Sequence, residues 1–578
     1  MSLIQALERL QTERGHLSPD SLRELAATLR APLYRLQELV SFYPHFRTEP
    51  PADVTVSVCR DVSCHLAGAD GLKERLEAVL DGDGRVRVES ASCLGCCERA
   101  PAGRVNGLPC RLADPEALAA ALAGGADPAE AAEAAARAGE EPGAGGRPEA
   151  EALPTAGPEE FRCDPYGEEP EARYGALREL LVAVGPNGGP GGTGGAAALD
   201  AGLEALLAAL EESGLRGMGG AGFPTGRKWR LVRAEPAAPK YVVCNADESE
   251  PGTFKDRVVL ERLPHLVVEG MILGGLAVGA ERGIVYLRHE YGAAREALEA
   301  EIRRAREAGW VGEDVGGAGR AFELEVFLSP GGYILGEETA LLEALEDRRG
   351  EPRNKPPFPG QHGLHGKPTL INNVETFAYV PAIARRGADW WRAQGADGHA
   401  GLKCIAVSGH VERPGVYEIP TGTTVAALID LAGGVSGGRA LKAFAPGGAS
   451  SRFLPPGAAD TPIDFHTLAE AGSMMGSGAL VVVAEGTPLL PVAANVVRFF
   501  RDESCGKCVP CRDGTEKAVA MVEAALAGEP LDRETIDKLN LLLTETSICG
   551  LGYVALNPLL SVAEHWPEEV PFREVTHA

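Results

Sequence analysis

The chain contains no window approaching about 18 uninterrupted, strongly apolar residues, the length that reads as a membrane-crossing helix. Its first residues, MSLIQALERLQTERG, place Glu8, Arg9, Glu13 and Arg14 ahead of any apolar run from which a signal peptide could be built. Positive charge is also scarce. Against 82 Asp and Glu there are 56 Lys and Arg, a formal net charge of −26, which argues against nucleic acid or an anionic membrane as the main partner. No C-x-x-C stands after the first strand-like run, where a redox dithiol would sit, and no cysteine follows Cys549. A cytoplasmic protein is expected, and its 13 cysteines point to metal or redox clusters rather than disulfides.

What is present is enough chain for several cores: 578 residues, 44% of them hydrophobic, which on a prior of roughly 100 to 200 residues each means about three to five domains. Residues 1 to about 46 carry helical spacing (Leu22, Leu25, Leu29, then Leu33, Leu36, Val40), with Ser18 placed to cap and Pro32 to break, so a small helical bundle is predicted. VTVSVCR from Val54, a helix over 69–80 and RVRVESASC form a compact α/β unit. Residues 124–160, almost wholly Ala, Gly, Glu and Pro, read as a linker that is partly helical at best. The run VGPNGGPGGTGG at 184–195, with no basic residue nearby, reads as a flexible loop. Beyond it helices (264–280, 291–308) alternate with apolar strands (GIVYLR, FELEVFL), the rhythm of an α/β sheet. CIAVSGHV, GVYEIP, TVAALIDLAGG and ALVVVAEG suggest a small β-grasp-like domain, and the residues from Val492 onward are helical.

The chain is organised around Gly214 to Arg257. Six glycines in thirteen residues (Gly214, Gly217, Gly219, Gly220, Gly222, Gly226) leave main-chain N–H groups able to approach a phosphate or a flat ring, and Lys228 follows as a cation. The strand-like YVVC then delivers Asn245, Asp247, Glu248 and Glu250, an acidic turn suited to a ring edge or a ribitol. Gly217-x-Gly219-x-x-Gly222 fits the dinucleotide fingerprint in spelling, but a helical period precedes it and Pro224 follows, so the strand–turn–helix context is missing.

Cys505, Cys508 and Cys511 (C-x2-C-x2-C) with a distant Cys549 make a four-thiolate set suited to a [4Fe–4S] cubane or tetrahedral zinc; the close triplet favours iron–sulfur. Cys59 and Cys64 (C-x4-C) and Cys93 and Cys97 (C-x3-C) follow two strands and would build a [2Fe–2S] site once their loops converge. Cys96 is an alternative fourth ligand, with Cys97 preferred on spacing. Cys110, Cys163, Cys244 and Cys404 read as core residues.

GLRGxGGAGFPTGxKW followed by NxDExEPGTFKDR resembles the FMN-binding signature of the NADH-binding flavoprotein of respiratory complex I and its relatives in NAD-linked hydrogenases and formate dehydrogenases. ESCGKCxPCRxGT resembles the same family's C-terminal cluster motif. The Cys59–Cys64 and Cys93–Cys97 pairs resemble its thioredoxin-like [2Fe–2S] subunit. The fold class implied is α/β multidomain: helical bundle plus thioredoxin-like [2Fe–2S] domain (1–123), linker (124–160), FMN/NADH-binding domain (161–398), β-grasp-like SLBB-type domain (399–490) and helical [4Fe–4S] domain (491–578). The resemblance places Tyr333, Gly336, Glu337 and Glu338 in the flavin and nucleotide cavity. Helix capping accounts for one acid there. Lys355 and Phe358 are suited to a nucleotide phosphate and adenine, and Asn372 and Asn373 to the FMN phosphate; a rigid Pro-rich surface loop is the bland alternative for this segment. Met218 and Leu231 depart from the family pattern, which puts one phosphate or flavin contact and one stacking partner in doubt.

A hydride carries two electrons and a cluster accepts one, so a flavin cradle with two clusters is built to couple NAD(H) to one-electron carriers. NAD(H) is expected to stack on FMN between Phe223, Glu250 and Phe358, with Glu250 orienting the nicotinamide amide and Lys228 facing the FMN phosphate or ribitol. Fusion of the [2Fe–2S] unit to the flavoprotein resembles the β subunit of NAD-dependent molybdenum or tungsten formate dehydrogenase. The implied partner is a molybdopterin or tungstopterin formate-oxidising α subunit, with a higher oligomer of the αβ unit as an option. A fused complex I module, a hydrogenase diaphorase subunit and, from another class, a non-catalytic iron–sulfur scaffold are the alternatives.

Overall fold

A computed structural model describes residues 2–80, 84–137, 161–167, 169–182 and 193–573. The sequence expectation for 184–192 and the greater part of the expected linker, 138–160, lie outside these residues. Three helices open the chain: Leu3–Arg14, begun by a Ser2/Gln5 capping box, Pro19–Leu29, capped by Ser18, and Leu33–Phe42, which starts directly after Pro32. Their apolar faces do not close on one another alone. Leu7, Leu36, Leu39 and Tyr43 join a core with Phe327, Ile334 and Leu341, and the Asp347 carboxylate accepts from the Leu3 and Ile4 amides at 2.8 and 2.9 Å. The bundle is therefore seated on the flavin-cradle domain, far from it in sequence.

The next sheet has strands β1 (Val54–Cys59), β2 (Val86–Ala91), β3 (Ala102–Val105) and β4 (Leu108–Arg111) in the order β2-β1-β3-β4, with β1 and β2 parallel and the rest antiparallel. Helices Leu72–Leu80 and Pro115–Ala123 pack on it. Part of the stretch read as linker belongs here too. Pro128–Arg137 is a helix that buries Ala131, Ala132 and Ala135 in this core. Its Ala/Glu composition looks like linker, yet alanines at helical spacing make an apolar stripe narrow enough to lie close against a sheet.

A four-stranded parallel sheet, β5 (Tyr241–Ala246), β6 (Arg282–Arg288), β7 (Glu323–Ser329) and β8 (Thr369–Asn373), runs in the order β7-β6-β5-β8. Helix Pro264–Val278 is apolar almost all round and buried along its length, as expected of a helix held between a sheet and other helices. It crosses helix Val374–Arg392 so closely that a Cβ on Gly270 would lie 2.1 Å from the Phe377 carbonyl oxygen. β9 (Leu402–Gly409), β10 (Gly415–Pro420), β11 (Leu441–Ala445) and β12 (Ala479–Ala484) form a mixed sheet, β10-β9-β12-β11, in which the central pair is parallel and the flanking pairs antiparallel. Helices Leu489–Asp502, Val509–Leu526, Arg533–Thr546, Gly550–Val554 and Asn557–His565 follow. Among the described residues no helix is long and apolar enough to cross a membrane.

Candidate functional site

Helix Thr193–Ser213 stops at Gly214, whose φ of +70° only glycine adopts without strain, and helix Thr225–Ala234 starts eleven residues on. Between them the loop folds back on itself: the Gly217 amide donates to the Phe223 carbonyl at 2.9 Å and the Gly222 amide to the Gly217 carbonyl at 3.3 Å. Among the described residues the amides of Gly219 and Gly220 donate to no group of the chain, leaving two adjacent main-chain donors for an external acceptor. A Cβ on Gly219 would stand 2.9 Å from the Asn373 side chain, and one on Gly222 3.0 Å from the Phe465 ring. Gly226 has a different use. It lets its helix approach the Glu211 amide, where a Cβ would be 2.6 Å away. Met218, one of the departures from the family pattern, is buried, and its amide donates to Thr376 Oγ1 at 2.9 Å.

The loop lies beside the carboxyl ends of β5 and β8, the usual location of a ligand crevice in an open parallel sheet. Lys228 is half-buried, and among the described residues its ammonium donates only to the Ile371 carbonyl, at 3.0 Å. Burial pulls its pKa down, partly opposed by Glu338. A desolvated ammonium with donors to spare calls for an anion. Asn372 Oδ1 accepts from Trp229 Nε1 at 3.4 Å. Asn373 is tied at both ends: Nδ2 donates to Asp256 at 2.5 Å, and Oδ1 caps helix Val374–Arg392 through the Glu375 amide at 2.9 Å. Its side chain is thus a brace under Gly219, with a second Nδ2 hydrogen left over.

The acidic turn is equally well tied. Asn245 Nδ2 donates to the Gly336 carbonyl at 2.8 Å and so links β5 to the Tyr333–Glu338 segment. Asp247 accepts from the Ser249 and Ser329 hydroxyls, both at 2.5 Å, and burial raises it to about 6. Glu248 caps helix Lys255–Arg262 by accepting from the Asp256 and Arg257 amides at 2.8 and 3.1 Å; burial, with the Asp256 charge next, raises it to about 7. Glu250 accepts through Oε1 from the Ser450 amide and hydroxyl at 2.8 and 2.5 Å, and burial raises it to about 6. Under this layer Lys255, Asp256, Glu375 and Lys403 form a fully buried ion-pair chain, with Lys255 to Glu375 at 2.9 Å and Lys403 to Glu375 at 2.5 Å.

At the mouth, Phe223, Leu231 and Phe358 are exposed, and the Arg227 guanidinium lies 5.8 Å from the centre of the Phe223 ring. Lys355 is paired with both Glu337 and Glu338, at 2.9 and 3.0 Å, which raises its pKa against the opposing effect of burial. Two carboxylates therefore already neutralise the cation expected to meet a nucleotide phosphate. Glu337 also caps helix Glu338–Leu345, so capping accounts for that acid. Tyr333 donates its amide to Glu503 at 2.8 Å and packs edge-on against Phe499.

Both cysteine sets converge. Cys93 and Cys97 Sγ stand 3.6 Å apart; Cys64 Sγ accepts from the Ala102 amide at 3.3 Å, and Cys59, Cys64 and Cys93 are neighbours. Cys96 points elsewhere, toward the Leu94 carbonyl at 3.6 Å. In the C-terminal domain Cys505, Cys508, Cys511 and Cys549 line one cavity with Ile334 and Pro352, and among the described residues no three His, Cys, Asp or Glu are set around a single metal ion. Four thiols around a cavity, rather than around a point, suit a multi-iron cluster. Burial pushes Cys511 up to about 11 and Cys549 up to about 12, so coordination must displace their protons. Cys110, Cys163, Cys244 and Cys404 are buried, as expected for core residues.

Residues 210–382 match the Nuo51 FMN-binding domain, 1–125 the thioredoxin-like [2Fe-2S] ferredoxin, 404–454 the SLBB domain and 491–573 the NADH-ubiquinone oxidoreductase-F iron-sulfur binding region. An NADH-quinone oxidoreductase subunit of Rhizobium meliloti (strain 1021) is 44% identical over 368 residues, which are 63% of this chain and 87% of that protein. The chain belongs to the family of NADH-binding flavin and iron–sulfur subunits. The HndC subunit of the NADP-reducing hydrogenase of Solidesulfovibrio fructosivorans is 44% identical over 363 residues, 62% of this chain and 74% of its own. A chain of the air-oxidized NAD+-reducing [NiFe]-hydrogenase aligns over 97% of this chain and 92% of that one, at 32% identity and TM-score 0.79. FMN, NAD, a [2Fe–2S] and a [4Fe–4S] cluster are the cofactors of this NADH-binding flavin and iron–sulfur subunit.

Several residues of the site were not legible beforehand. Arg288 donates to the carbonyls of Cys93 and Glu248 at 2.5 and 2.6 Å, and Arg257 to the Gly95 carbonyl at 3.1 Å and to Glu98 at 2.6 Å. Tyr291 OH donates to Glu248 at 3.0 Å and would be 2.4 Å from a Cβ on Gly95. Together they join the N-terminal cysteine loop to the acidic turn. The one advance signal was an arginine ending the otherwise apolar run GIVYLR.

Proposed function

We propose that this chain is the NADH-binding diaphorase subunit of a cytoplasmic, multi-subunit oxidoreductase, passing electrons between NAD(H), FMN and its two clusters. One observation carries the reading: buried Arg288 donates both to the Cys93 carbonyl at 2.5 Å and to the Glu248 carbonyl at 2.6 Å, so one side chain ties a cluster loop to the acidic turn of the nucleotide site. FMN, when bound, supplies the exchange between electron pairs and single electrons. The amides of the 217–222 loop (Gly217, Gly219, Gly220, Gly222) and Lys228 would hold its phosphate and ribitol, and Asn245, Asp247, Glu248 and Gly336 would shape the wall beside its ring. Glu250 would orient the nicotinamide, and Phe223 and Phe358 would cover the nucleotide. Cys59, Cys64, Cys93 and Cys97 would hold the [2Fe–2S] cluster; Cys505, Cys508, Cys511 and Cys549 would hold the [4Fe–4S] cluster. The domain limits we propose are those read from the sequence, with the first domain extended through the helix Pro128–Arg137.

For the partner we propose a molybdopterin or tungstopterin formate-oxidising subunit, on the fused [2Fe–2S] domain and the spelling of the glycine loop. A second reading is supported by the near end-to-end alignment with the NAD+-reducing hydrogenase chain, which makes the partner a nickel–iron subunit. Affinity purification of the tagged chain from its source tests both. Formate-dependent NAD reduction by the recovered complex supports the first reading; hydrogen-dependent reduction replaces it with the second. A flavin-free preparation inert to NADH with ferricyanide would overturn the diaphorase reading itself.

A further inference from the structure

Ser450 lies in the turn after β11, within PGGASS, and is buried. That turn belongs to the mixed sheet, not to the flavin-cradle sheet, yet it closes on the acidic turn. The Ser450 amide and hydroxyl both donate to Glu250 Oε1, at 2.8 and 2.5 Å. The Ala449 amide donates to the Pro251 carbonyl at 3.3 Å, and a Cβ on Gly448 would lie 3.2 Å from Glu250 Oε1. The turn is itself held from two sides: Ser451 Oγ bridges the Gly447 amide and the Gly448 carbonyl at 3.1 and 2.9 Å, and Asn557 of the C-terminal helical domain donates to the Ser450 carbonyl at 2.9 Å. Glu250 Oε2, by contrast, accepts no hydrogen bond among the described residues.

We propose that Ser450 is a positioning residue for nicotinamide binding, holding one oxygen of the Glu250 carboxylate so that the other is presented to the nucleotide. Two donors from one residue fix both the rotamer and the in-plane rotation of a carboxylate, which a single donor leaves free. The mixed-sheet domain thereby serves as a wall of the nucleotide site, and Asn557 carries the constraint on to the domain of the second cluster. The inference rests on the proposed role of Glu250 as the nicotinamide contact.

The test uses holoenzyme with its full FMN complement and reads equilibrium NAD+ affinity by calorimetry alongside NADH steady-state kinetics. Ser450→Ala removes the hydroxyl and keeps the amide; the expected outcome is about tenfold weaker NAD+ affinity and a KM for NADH about tenfold higher, the size of one hydrogen bond to a charged group, with kcat little changed. Ser450→Thr restores both. Should Ser450→Ala fail to assemble, Asn557→Ala serves instead, with a smaller loss in the same direction. Unchanged NAD+ affinity in Ser450→Ala while Glu250→Gln weakens it would overturn the positioning role. If Glu250→Gln leaves affinity unchanged as well, the reading of Glu250 itself has failed. A fall in FMN content in Ser450→Ala, in place of an affinity change, overturns the proposal in favour of a purely structural role.

Discussion

The two cysteine sites differ in how deeply their thiols are buried. In the N-terminal site all four proposed ligands are buried, and the groups that bind their loops, Arg257 and Arg288, come from the flavin-cradle domain. In the C-terminal site three of the four thiols are only half-buried, and Ser504, which hydrogen-bonds Cys511 at 3.2 Å, and Lys507, which reaches the Pro352 carbonyl at 2.6 Å, belong to the motif itself. Both environments reach the flavin-cradle domain, the first through buried arginines and the second through Ile334, Pro352 and the exposed Lys507. Exposure and hydrogen bonds to sulfur set cluster potentials, so the buried first site and the half-exposed second differ chiefly in their access to solvent.

The sharpest way to break this comparison is at the ligands. Cys97→Ser should abolish the reduced [2Fe–2S] signal in electron paramagnetic resonance and lower the iron content, whereas Cys96→Ser should keep both; the reverse result would exchange the two roles. The next effect is on assembly. Arg288 is buried, donates across the interface to the Cys93 carbonyl and pairs with Glu290 at 2.9 Å, so Arg288→Met removes both bonds and should cost about 3–5 kcal/mol of stability, read as earlier proteolysis between the first two domains. Lys507→Met at the exposed C-terminal loop should cost about 1 kcal/mol or less by the same assay. Equal losses would erase the distinction between the sites.

The acidic turn between the two regions supplies a pH test. Asp247 rises from 3.8 to about 6 on burial, so the folded state holds its proton where the unfolded chain has released it. Stability of the FMN-free protein should therefore fall as pH climbs from about 4 to about 6, by about 3 kcal/mol from this group, and level off above. Asp247→Asn should flatten that limb of the urea-midpoint profile. The smallest expected effect concerns access: an iron chelator should bleach the half-exposed C-terminal cluster before the buried N-terminal one, followed by the separate resonance signals of the two clusters.

Much of the chemistry was legible in the sequence because its parts are local. Three cysteines within seven residues, six glycines within thirteen, and an acidic turn after an apolar strand keep their meaning wherever the chain folds. The helix 128–137 was hidden by composition: alanines that look like linker become core only when a sheet lies against them. Lys355 and Asn373 read as ligand contacts from their neighbourhood, and the fold also ties Lys355 to Glu337 and Glu338 and Asn373 to Asp256, partners that no local pattern announces.

The sequence by itself determined which groups can bind metal and which main chain can approach a phosphate, since both follow from residue type and covalent spacing. Only the tertiary structure decided that Arg288 reaches Cys93 across 195 residues and Ser450 reaches Glu250 across 200. No local pattern encodes such pairs. They form because burying each domain's apolar faces aligns the loops between them, and desolvation then obliges every polar group left at the seam to find a partner.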